Sequence, residues 1–157
     1  MTIRSLLSSA LIGAVASARS MTPMATLAAA RLAHRKTSGE LFLLDRPLFK
    51  YGALAMGAGE LFGDKMKTAP DRTVLLGLTA RVASAGIAGS ALAPKGREAA
   101  GAAVAVATAV PLAYLTLAAR KRAIANIGQT RSGLIEDALI VAAGIAVVAW
   151  ATRSKSN

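Results

Sequence analysis

The stretch AAGAAVAVATAVPLAYLTLAA, residues 99–119, decides the fold class. It lies between Glu98 and Arg120 and contains no charge over 21 residues. As an α-helix it would be about 31 Å long, enough to cross the hydrocarbon core of a bilayer. Composition supports the same solvent. The chain is 54% hydrophobic, has a mean hydropathy of +0.49 and is only 17% charged, against roughly 25% in soluble domains. The reading is an all-α integral membrane protein.

Outward from that run, four further apolar segments are interrupted by charges or proline. They cover residues 5–30, broken at Arg19 and Pro23; 47–63, with Lys50 and Glu60; 73–93, with Arg81; and 133–152, with Glu136 and Asp137 near its start. The sequences between them (HRKTSGELFLLDR, DKMKTAPDR, PKGR and RKRAIANIGQTR) are short and charged, as membrane-flanking loops tend to be. The pattern predicts one membrane domain over residues 1–157, a polytopic transmembrane helix bundle of about five segments whose first segment is broken or re-entrant. Arg4, the apolar run after it and Ala16-Ser17-Ala18 also fit a secretory signal. The apolar character resumes after Arg19, so a retained first helix is expected. Pro23 reads as an ordinary kink.

The chain holds 37 Ala and 14 Gly, most of them in these segments. Lipid provides no hydrophobic drive for helix association, so small residues that let backbones approach closely take that role. Gly59/Gly63, Ser84/Ala88, Ala85/Gly89 and Gly89/Ala93 are small-xxx-small pairs, and such faces also offer a surface for homo-oligomerisation. The net charge of +11 comes from Lys and Arg spread over every loop. With 4% aromatic residues for base stacking, the expected partners are the lipid bilayer and its anionic headgroups, not nucleic acid. The basic residues divide almost evenly between the two membrane sides and leave the orientation open.

Carboxylates inside or against apolar helices need partners or water. Glu60 and Asp64 are i, i+4 neighbours, with Lys65 next to them. Two intervening crossings bring Glu136 and Asp137 back to the same membrane face. Arg81, about 12 Å into its segment, is expected to pair with Glu60, Asp64 or Glu136. Four carboxylates offer oxygen ligands for Mg2+ or Ca2+, but Lys65 and Arg81 are nearer counter-charges, so no metal is expected.

The stretch GELFGDKMKTAPDRTVLLGLTARVASAGIAGSALA (59–93), preceded by ARSMTPMATLAAARLA (18–33) and followed by GLIEDALIVAAGIAVV (133–148), resembles the bacterial membrane proteins of the domain-of-unknown-function 4126 family. The resemblance implies a small polytopic bundle in the bacterial inner (plasma) membrane. It also implies a polar intramembrane site of Arg19, Glu60, Asp64, Lys65, Arg81, Glu136 and Asp137. Pro70 comes later than the family pattern has it, and Ala18 stands where Gly is expected. The family name implies no biochemical activity.

Enzyme signatures are lacking. There is no Cys, one His (His34, in a charged loop), and no P-loop, dinucleotide fingerprint or nucleophile elbow. No cofactor, no metal and no catalytic residue is expected. Two function classes remain: a small transporter-like or permease-like protein built on the polar site, and a non-catalytic scaffold or accessory subunit in which the same charges only hold helices together. A water-filled cavity reaching the carboxylates would favour the first, and closed ion pairs the second.

Overall fold

A computed structural model describes residues 1–37, 42–63 and 75–153. Asp64 and Lys65 lie outside the described residues. Every regular element among those described is helical: α1 (Ile3–Ala18), α2 (Thr22–Leu32), a 3-10 turn at Phe42–Asp45, α3 (Pro47–Gly63), α4 (Leu75–Leu92), α5 (Glu98–Ile127) and α6 (Gln129–Ala151). Three of these helices, α4, α5 and α6, are long and apolar enough to cross a membrane. α1 has 16 residues and α3 has 17, somewhat short of the roughly 20 needed to span. Length therefore supports three of the five expected segments.

The helix boundaries follow local chemistry. Thr2 caps α1, its hydroxyl oxygen accepting from the Ser5 amide at 3.2 Å. α2 ends with the Arg35 amide on the Ala30 carbonyl and the His34 amide on the Arg31 carbonyl. Exposed His34 sits at φ 55, the left-handed residue of a Schellman stop. Pro23 is in the first turn of α2, where its missing N–H leaves no intrahelical bond unmade, and it does not kink a continuous helix.

One correction concerns the sequence RKRAIANIGQTR, read above as a loop. It is helical on both sides of Gly128, which joins α5 to α6 at φ 83. Arg, Lys and Ala are strong helix formers, so the helix outruns its apolar stretch. α5 is 30 residues long, about 45 Å, and ends only where Gly admits a positive φ. Arg120 and Glu136 lie eight residues either side of Gly128 and are paired, which fixes an α5–α6 hairpin.

The centre of the bundle is α1, α4 and α5, with α6 against α1 and α2, and α3 against α2. Close backbone contact makes it tight. A Cβ on Gly89 would lie 2.5 Å from the Gly101 carbonyl oxygen, and one on Gly101 would lie 2.5 Å from that of Gly89. Gly13 meets the Ala105 backbone in the same way. Ala85, Ala88, Ala105 and Ala109 are fully buried around these crossings, as the small-residue pattern on α4 requires. Gly59, in contrast, faces open space and makes no such crossing.

Candidate functional site

The interruption between α1 and α2, Arg19 to Met21, gathers the described charges of the predicted polar site. Two helix ends meet inside the bundle there. The carbonyls at the end of α1 and the amides at the start of α2 have no intrahelical partners, and they carry opposite partial charges. Such a break survives at membrane depth only where protein or water satisfies it.

Side chains from three other helices do so. On α3, the Glu60 carboxylate accepts from the Ser20 amide (2.6 Å), the Ser20 hydroxyl (2.6 Å) and the Met21 amide (2.8 Å). An anion thus sits on the positive end of α2. Gly57, three residues earlier on α3, makes this reach feasible: a Cβ there would be 2.7 Å from Ala25 Cβ. On α4, Arg81 Nε donates to the Ser17 carbonyl at 3.0 Å and its Nη1 to the Gly77 carbonyl at 2.7 Å. Arg81 is 5% exposed, and this cation meets the negative end of α1. On α5, the Thr116 hydroxyl also donates to the Ser17 carbonyl, at 3.4 Å.

Arg19 is the largest of the fully buried side chains. Its Nε and Nη2 both donate to Asp137 Oδ1 on α6, at 2.8 and 2.5 Å, and Nη2 lies 3.6 Å from Glu136 Oε2. Glu136 in turn accepts from Arg120 Nη1 at 2.5 Å. Two cations and two carboxylates therefore alternate from the break toward the α5–α6 side. Gly144 lies seven residues beyond Asp137, on the same face of α6. Its small size lets α6 seat on α2: a Cβ there would be 3.0 Å from Thr26 Cγ2.

The expectation for Arg81 named Glu60, Asp64 or Glu136 as its partner. Two of its hydrogen bonds run to backbone carbonyls, that of Ser17 at the end of α1 and that of Gly77 one turn back in α4, and Asp64 lies outside the described residues. Arg19, Glu60, Arg81, Glu136 and Asp137 all come to the break or its immediate neighbours. Ser17, Ser20, Thr116 and Arg120 belong to the same network and were not singled out by the sequence. The Ser20 hydroxyl, beside an Arg inside an apolar run, was the available signal, whereas Ser17 takes part through its backbone carbonyl. Arg120 was hidden by its assignment to a loop.

Between α5 and α6 a cavity of about 260 Å³ is lined by Ala18, Ala123, Ser132, Arg120 and Glu136, among others. It reaches from the hairpin to the residue preceding Arg19. Among the described residues, no three His, Cys, Asp or Glu side chains stand together as a metal site. At the other end of the bundle Arg4 lies over the Trp150 ring, 5.5 Å from its centroid, and donates to the Trp150 carbonyl. This ties the start of α1 to the end of α6. No family model, curated protein or solved structure matches this chain.

Proposed function

We propose that this chain is a multi-pass protein of the bacterial inner membrane, permease-like in plan, with its polar site at the broken α1–α2 segment. The membrane part of this reading is supported by an inverted distribution of polarity. Arg19, Arg81 and Asp137 are buried, whereas Leu48, Leu75, Leu76, Leu115 and Leu139 are between 64% and 80% exposed. Water would not favour that surface, and lipid does.

The observation that carries the permease-like reading is the α5–α6 cavity leading to Glu136 and Ala18, beside two helix ends inside the bundle. Discontinuous helices with facing ends are how many membrane carriers place polar groups at mid-depth. In this reading Glu60, Arg81, Arg19 and Asp137 hold the break, and Glu136 with Arg120 is the part that solute or water meets. The resemblance to the domain-of-unknown-function 4126 family accords with such a plan and adds no activity to it.

The scaffold reading has its own support. Each described charge at the break is in direct contact with an opposite charge or a helix end, as helix glue requires. The chain has no cysteine, so single-cysteine variants separate the two cleanly. Ala123→Cys and Ala18→Cys are treated in lipid nanodiscs with a charged, membrane-impermeant methanethiosulfonate. The permease-like reading expects both to be modified, Ala18→Cys more slowly. Modification of Ala123→Cys alone would mean that water stops short of the break, and the scaffold reading would replace it.

A further inference from the structure

A second cavity lies on the other side of the break, between α2, α3 and α4, and nothing in the polar site uses it. Its volume is about 470 Å³, within the range of small-molecule sites. It exists because α3 rests on α2 without extended contact with α4 among the described residues. Its walls include Met21, Met24, Leu44, Phe49 and Met56, and methionines adapt to irregular apolar shapes. Leu48, Phe49 and Met56, which also line it, are 80%, 45% and 57% exposed, so the mouth is apolar and opens sideways.

Two hydroxyl residues interrupt this lining, Ser90, which bonds back to the Ile87 carbonyl at 2.8 Å, and Ser84. Ser84 is 2% exposed, and its Oγ is buried without a hydrogen-bond partner. Other helical hydroxyls here bond back to the preceding turn: Thr26 to Thr22, Ser90 to Ile87, Thr108 to Val104 and Ser132 to Gly128. Ser84 has the same option and does not take it. A buried hydroxyl left unsatisfied is unfavourable, and a ligand oxygen in the cavity would remove that penalty.

We propose that the α2–α3–α4 cavity binds a lipophilic molecule bearing a carbonyl oxygen within its apolar body, with Ser84 Oγ donating to that oxygen. Ser84 is near the middle of α4. A helix of that length places its middle near the bilayer centre, away from the interfacial esters of ordinary phospholipids. The oxygen must therefore belong to a molecule that carries it into the hydrocarbon, as ketones and quinones do. The binding groups are the methionines and Phe49 for the apolar body and Ser84 for the oxygen.

The test uses the full chain in nanodiscs with 4-octylbenzophenone, whose carbonyl is both the hydrogen-bond acceptor and the photoreactive group. Saturable labelling is expected at Met24, Met56 or Phe49, displaced by 2-tridecanone at several-fold lower concentration than by tridecane. Ser84→Ala should make the two competitors equal. Gly52 lines the cavity and a Cβ there meets nothing within 4 Å, so Gly52→Leu fills the space and should cut labelling about ten-fold. Gly59 is equally open but outside the lining, so Gly59→Leu should label as the unmodified chain does. Non-saturable labelling spread over the outward faces of α5 and α6 would overturn the site. Equal potency of the two competitors on the unmodified chain, a reading that needs no variant, would overturn the role of Ser84.

Discussion

Replacing Arg19 by methionine should be among the most damaging single changes in this protein. The side chain is 1% exposed and gives two donors to Asp137 Oδ1, at 2.8 and 2.5 Å. Removing one partner of a buried pair costs on the order of 3–5 kcal/mol, because the survivor stays charged and desolvated. For a chain of 157 residues that corresponds to a loss of roughly 6–20 °C in melting temperature, at about 2–4 °C per kcal/mol. Asp137→Leu should cost less. Arg19 Nη2 then still has Glu136 at 3.6 Å, where the Coulomb attraction is roughly seven-tenths of its value at the 2.5 Å that separates the same nitrogen from Asp137. The double variant removes both charges and should be more stable than the sum of the single losses requires, by at least about 1.5 kcal/mol. Thermal unfolding of the four proteins in one detergent, followed by intrinsic fluorescence, measures the cycle. Additivity within about 0.5 kcal/mol, or a melting temperature for Arg19→Met equal to the parent's, would refute the argument that Arg19 and Asp137 are an interdependent buried pair.

Glu60→Gln should cost about 1–3 kcal/mol, since three donors at the start of α2 lose a charged acceptor; an unchanged melting temperature would show that the α2 end is satisfied another way. Gly101→Leu should prevent folding of the α1–α4–α5 centre, because its first side-chain carbon already falls 2.5 Å from the Gly89 carbonyl oxygen; monodisperse elution of this variant in detergent would contradict the packing. The chain should stay in the membrane pellet through high-salt and carbonate washing, and recovery in the soluble fraction would end the membrane reading. The mature protein should keep α1, whose Ile12 and Ala16 are fully buried; intact mass decides this, and a chain starting at Arg19 would mean that a signal sequence had been mistaken for a core helix.

The sequence by itself determined the all-helical class, the presence of stretches long and apolar enough to cross a membrane, and the place where the helical path is interrupted. A 21-residue uncharged run has few other physical outcomes, and Arg19 with Pro23 marked the interruption. The Gly and Ala pattern on α4 also foretold the Gly89–Gly101 crossing in kind, because only small residues permit that approach. Hydropathy failed at residues 120–131, since a helix that leaves the apolar region continues on propensity alone and its charges look like those of a loop.

Tertiary structure alone decided the partners. Arg19 and Asp137 are 118 residues apart in the chain, and nothing local relates them. Glu60 and Arg81 meet helix ends, whose charge resides in backbone amides and carbonyls identical at every residue. A sequence can therefore say that a buried charge must be neutralised. Which group neutralises it depends on where the helices cross, and those crossings are set by the small residues that let backbones touch.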